Sequence, residues 1–129
     1  MIKVNDLRIG NLVKICNSDF CITSHAGKIV EVESINYSGI NVSEEYGSCV
    51  ADYVEANLEP IQLTDEILSK YENDEVIYRL EKSEANGYHV EIIGEGWVSN
   101  LIIYYLHQYQ NVHYVLTGDE LETSDSNGI

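Results

Sequence analysis

Lysine and arginine are scarce in this chain: seven bases stand against 22 acids in 129 residues, a formal charge of −15, and none follows Lys82. A surface so poor in cations repels phosphate backbones, whose affinity for proteins comes largely from Lys and Arg. Direct nucleic-acid binding is therefore not expected. Long apolar runs are missing too. Nothing approaches the roughly 20 consecutive residues that cross a bilayer, and Met1-Ile2-Lys3-Val4-Asn5-Asp6 lacks the apolar centre of a secretory signal. The expected setting is away from membranes. Cysteine occurs three times, an odd number that cannot all pair within one chain, which excludes a fully paired disulfide framework and suits a reducing cytoplasm.

Catalytic signatures are equally thin. No glycine-framed serine elbow occurs, Gly94-Glu95-Gly96 is too short for a dinucleotide fingerprint, and no phosphate-cradling loop ends in Gly-Lys-Ser or Gly-Lys-Thr. Pairs such as Glu44-Glu45 and Glu120/Glu122 read as solvated charge rather than as a general acid and base. Neither catalysis nor a cofactor is expected.

The 44% hydrophobic content and the length suffice for one compact core. Residues 1–64 carry nine acids and four bases, while residues 65–129 carry thirteen acids and three bases, so the second half dominates the electrostatic field. Gly10-Asn11 precedes a strand over Leu12, Val13 and Ile15. Ile29 to Ile35 alternates charged and apolar positions, the mark of a strand with one buried face, and Ile40 to Val42 and Val50 to Val54 add two more. Short strands at this spacing predict a small bent sheet or an SH3-like barrel.

The single proline, Pro60, biases Glu59 towards an extended connector. Thr64 then offers a hydroxyl N-cap, with Asp65 and Glu66 in the first turn of a helix through Ile67, Leu68 and Tyr71. Val76 to Leu80 and Tyr88 to Ile93, separated by a polar stretch with Asn86-Gly87, predict an antiparallel pair. Leu101 to Tyr105 reads as a third strand. The apolar stripe Leu106, Tyr109, His113 and Leu116, with Gly118 behind it, predicts a three-turn closing helix. The expected fold is thus α+β: a β-rich half over residues 1–58, an α-β-β-β-α half over 59–121, both in one compact domain, and a mobile tail over 122–129.

Cys16, Cys21, His25 and Cys49 are the right types for zinc, yet their spacing is looser than that of short zinc knuckles; buried apolar cysteines are the plainer reading. His107 and His113 stand about 120° apart around a helix and cannot share one metal. His107, Gln108, Gln110 and Asn111 gather donors and acceptors that suit either a recognition surface or the satisfaction of strand ends. Ten tyrosines against one phenylalanine is unusual, and Tyr104, Tyr105, Tyr109 and Tyr114 crowd around the strand-helix unit. Tyrosine offers large contact area with a polar tip. The candidate partner surface is therefore Tyr104, Tyr105, His107, Gln108, Tyr109, Gln110, Asn111 and Tyr114.

Three blocks carry a resemblance: Leu7-Arg8-Ile9-Gly10-Asn11-Leu12-Val13, then Leu58-Glu59-Pro60-Ile61-Gln62-Leu63-Thr64-Asp65-Glu66-Ile67-Leu68, and finally Leu106-His107-Gln108 through Asn111 to Leu116-Thr117-Gly118-Asp119-Glu120-Leu121. In this order they resemble a family of small proteins carried by bacteriophages and mobile elements of Bacteroides-type bacteria. They cover about a quarter of the chain, and the stretch from Glu72 to Glu95 departs from the pattern. The resemblance implies a phage accessory product of the host cytoplasm and brings no catalytic residues. The leading expectation is a non-catalytic protein that occupies a host protein with a basic surface, such as a defence or nucleic-acid enzyme. Two alternatives stand beside it. One is sequestration of a small molecule or nucleotide signal, which would need Arg8, Arg79 or nearby lysines gathered in one cavity; the other is a packaged virion component. Self-association is compatible with each.

Overall fold

The structure, a computed structural model, describes residues 6–15, 29–36, 39–44, 47–51, 58–71, 77–84 and 86–122. Side chains of residues 36, 39, 43–44, 47–51, 97 and 99–100 are outside that description. Cys16, Cys21 and His25, the side chain of Cys49, and the tail beyond Glu122 therefore lie outside the described residues. The chain forms two compact units, Met1–Ile61 and Gln62–Ile129.

In the N-terminal unit, β1 (Leu12–Ile15), β2 (Ile29–Asn36), β3 (Gly39–Glu44), β4 (Gly47–Ala51) and β5 (Leu58–Glu59) make one antiparallel sheet in the order β4-β3-β2-β1-β5. It curls into a half-barrel. The alternation read from the sequence determines its faces: Val13 and Ile15 on β1, Val30 and Val32 on β2, and Ile40 and Val42 on β3 turn into one core with Leu7 and Leu58. Each such side chain contributes roughly 1.5–3 kcal/mol on burial. The fourth strand begins earlier than its apolar residues suggest, because Gly47 pairs with Glu44 to close the β3–β4 hairpin. The extended connector also does more than connect, since Leu58 and Glu59 pair with Ile15 and Lys14. Asn11 is fully buried and its Oδ1 accepts from Arg8 N at 2.7 Å, which closes the turn before β1.

The C-terminal unit begins with α1 (Asp65–Leu68), capped as predicted by Thr64, whose Oγ1 accepts from Ile67 N at 3.2 Å. A three-stranded antiparallel sheet follows, β6 (Tyr78–Lys82), β7 (Tyr88–Ile92) and β8 (Gly96–Ile103) in that order, and α2 (Leu106–Thr117) closes the unit. The helix ends at Gly118, which is left-handed at φ 80° and donates its N–H to Tyr114 O at 2.8 Å. The unit buries an unusual core of Tyr71, Tyr78, Tyr88 and Tyr109 with Leu63, Val90, Ile103, Leu106 and Leu121. Buried phenols usually find partners, although the Tyr71 hydroxyl has none among the described residues. Tyr88 donates to Asp65 at 2.6 Å, and Lys82 Nζ stands 3.5 Å from the same carboxylate, so α1 is tied to the β6–β7 hairpin.

This core gives the unit a defined alkaline limit. Burial, reinforced by the neighbouring Tyr109, pushes the Tyr71 phenol up to about 12; burial and the Asp65 carboxylate push Tyr88 up to about 12 as well. An unfolded tyrosine ionises near 10. Between these values the unfolded chain releases protons that the folded chain retains, so this contribution is fully present below about pH 10 and is lost as pH rises through about 12. The melting temperature followed by circular dichroism is expected to fall most steeply over that interval; a flat profile from pH 9 to 12 would contradict it. Asp65 works in the opposite sense, because the Tyr88 hydrogen bond and the Lys82 charge hold its carboxyl below the usual range. That contribution is present above its unfolded pKa, about 3.9, and disappears as pH falls through the folded value.

Candidate functional site

The pairing of β7 with β8 is interrupted where it matters most. His89 faces Ile102 and Glu91 faces Trp97, so a step of two residues on β7 corresponds to a step of five on β8. The extra chain is a bulge opposite Val90. Bulges bend a strand and re-aim its side chains. Here Val98 and Leu101 from β8 join Val90 from β7 as one wall of a groove, and Val112, Val115 and Leu116 of α2 form the other. Its volume is about 340 Å³, and Asn111 is its single polar lining residue, contributing no exposed polar surface.

Helix α2 is placed against the sheet by its first turn. Gln108 Oε1 accepts from Tyr104 N at 2.8 Å and from Tyr105 N at 3.1 Å, reaching back from the third helical position to satisfy donors just before the helix. Leu63 N donates to Tyr104 O at 2.8 Å and fixes the same corner from the other side. Replacing Gln108 with alanine leaves two backbone donors without this acceptor and is expected to cost about 1–2 kcal/mol by urea denaturation. A cost below about 0.3 kcal/mol would show that water replaces the cap without penalty.

Further along α2 the enclosure opens. Leu106, His107, Tyr109 and Gln110 are buried, whereas Val115 is 80% exposed and Tyr114 43% exposed. The second half of the helix is held by Tyr78, whose hydroxyl lies 2.6 Å from His113 Nδ1 with the two rings edge to face at 5.7 Å. In the neutral imidazole with its proton on Nε2, the phenol is the donor. This accounts for a histidine in the predicted apolar stripe. Leu116, the last member of that stripe, faces the groove instead.

The predicted tyrosine and amide surface is thereby distributed among three environments. His107, Tyr109 and Gln110 are buried; Tyr109 meets Tyr71 edge to face at 6.1 Å, and His107 stacks on Tyr105 at 5.9 Å. Tyr104, Tyr105 and Gln108 form the half-buried corner that starts the helix. Asn111 lines the groove and Tyr114 is exposed. The eight residues share one helix and its lead-in, but they do not make one exposed face. The sequence pattern singles out neither Val112 nor Val115, which join Leu116 of the predicted stripe along the groove. Their i, i+3, i+4 spacing is itself an apolar stripe, concealed by the longer one running from Leu106.

No titratable side chain lines the groove. The bases of this unit are engaged elsewhere: Arg79 pairs with Glu91 across β6 and β7, Lys82 with Asp65, and Lys70 has its own interactions. Among the described residues no group of three or more His, Cys, Asp and Glu could hold a metal ion, and no helix is long and apolar enough to cross a membrane. The groove offers apolar contact inside an acidic field. No protein-family model, curated protein or solved structure matches the chain.

Proposed function

We propose that this chain is a non-catalytic binding protein that occupies a host protein with a basic surface, as an accessory product of a phage or mobile element in the bacterial cytoplasm. The observation that supports this best is the groove beside α2: an apolar opening on a helix with no Asp, Glu, Lys or Arg, in a half-chain with thirteen acids and three bases. Apolar contact supplies affinity without desolvating charge, and the surrounding acid field selects and steers a basic partner. Enzymes that act on nucleic acids carry such basic surfaces because their substrates are polyanions. A defence or nucleic-acid enzyme is thus the partner class that fits.

A nucleotide signal is a weaker fit, because no lysine or arginine lines the groove. An uncharged apolar small molecule is the second reading, since 340 Å³ falls at the lower end of ligand-pocket volumes. Capture from host lysate on the tagged chain, followed by stepwise salt elution, separates the two. The proposal expects one stoichiometric basic protein that leaves as salt rises, whereas retention indifferent to salt would contradict its electrostatic half. A melting point raised by uncharged apolar ligands, with no protein captured, would favour the second reading.

A further inference from the structure

We infer that the groove between α2 and the β7–β8 bulge receives the apolar face of a basic amphipathic helix of the partner, an inference that rests on the proposed function and assigns its docking site. The wall from Asn111 to Leu116 extends about 8 Å along the axis of α2. That length matches two apolar side chains at i and i+4 of a docking helix, whose Cβ atoms lie about 6 Å apart. The lining exposes no polar surface. A docking strand would find no hydrogen-bonding groups there, while a helix brings its own backbone already satisfied.

Charge determines what flanks the apolar face. Glu95 stands three residues before Val98, Asp119 three residues after Leu116, with Glu120 and Glu122 following, and all four are exposed. No lysine or arginine occurs anywhere after Lys82. Lys and Arg beside the apolar anchors would therefore meet carboxylates. A second copy of this chain is disfavoured as occupant, because it would bring together two molecules of formal charge −15.

The test uses a labelled Leu/Lys amphipathic peptide of about 15 residues, long enough to form a helix, with fluorescence anisotropy against the full chain. Its controls are a scrambled peptide of the same composition and a Leu/Glu version. Val115→Asp is the decisive variant: at 80% exposure the site tolerates it without loss of the fold. Groove docking predicts binding at least about tenfold weaker, because a carboxylate enters an apolar contact. Attraction by surface charge alone predicts equal or tighter binding, because the variant adds one more acid. Equal or tighter binding by Val115→Asp, equal binding by the scrambled or Leu/Glu peptide, or no binding of the Leu/Lys peptide would each overturn the inference. Undiminished, salt-sensitive capture of the host protein by Val115→Asp would overturn the docking site and leave the proposed function standing. Loss of any basic partner from wild-type capture, with the peptide pattern intact, would do the reverse.

Discussion

Replacing Gly87 with alanine is expected to destabilise the C-terminal unit by about 3 kcal/mol, the upper end of the usual cost of overpacking. A Cβ at this position would lie 2.4 Å from Ile102 Cγ2 and 2.7 and 2.9 Å from two carbons of the Tyr104 ring. Neither neighbour retreats easily. Ile102 is β-branched and sits on β8, and the Tyr104 backbone is fixed by Gln108 Oε1 and by Leu63 N. The left-handed Asn86 beside it, at φ 66°, completes the turn that brings the β6–β7 hairpin this close. Because the clash falls where β8 passes into α2, it disturbs the corner that orients the groove. Chemical denaturation followed at the sole tryptophan, Trp97 on β8, reads the loss. Ile102→Ala in the same chain should recover part of it, since one of the two clashing side chains is removed. A loss below about 0.5 kcal/mol would show that Ile102 and Tyr104 yield freely. Gly94→Ala is the contrast: nothing lies within 4 Å of its Cβ, so only the backbone conformation at φ 90° resists the change.

The second large effect is expected for Leu106→Ala, at about 3 kcal/mol within the usual 2–5 kcal/mol range for such truncations. Leu106 is fully buried at the first position of α2 and belongs to the same enclosed turn as Tyr109. Truncation removes buried apolar area and leaves a cavity at the point from which the helix projects. The same Trp97 signal should therefore shift to lower denaturant, and peptide binding in the groove should weaken along with it. An unchanged midpoint would mean that the first turn does not anchor α2 and that the groove wall is held by other contacts.

Patterns confined to one segment were legible in the sequence. Val30 and Val32 alternate with Glu31 and Glu33 on β2, Thr64 caps α1, and Leu106, Tyr109 and Gly118 mark the start, inner face and end of α2; each feature is settled by residues a few positions apart. Features that depend on a distant partner were not legible. Leu58 and Glu59 have no strand pattern of their own and become a strand by pairing with β1. The third strand of the second sheet begins at Gly96, five residues before Leu101, because the polar Ser99-Asn100 pair breaks the apolar pattern while the chain remains extended. The groove combines both difficulties. It requires the β8 bulge opposite Val90, which no local pattern announces, and it uses Val112 and Val115 from outside the stripe that defines the helix. Tyrosine richness marks α2 and its lead-in, but these tyrosines largely serve packing: Tyr109 against Tyr71, and Tyr105 against His107.

Whether the groove beside α2 receives the proposed basic partner is read from backbone amide chemical shifts of the labelled chain, recorded with and without that partner. The largest perturbations are expected on Val98, Leu101, Val112, Val115 and Leu116, diminishing together as salt is raised. Perturbations centred on the N-terminal sheet, with α2 and β8 unmoved, would rule out docking in the groove.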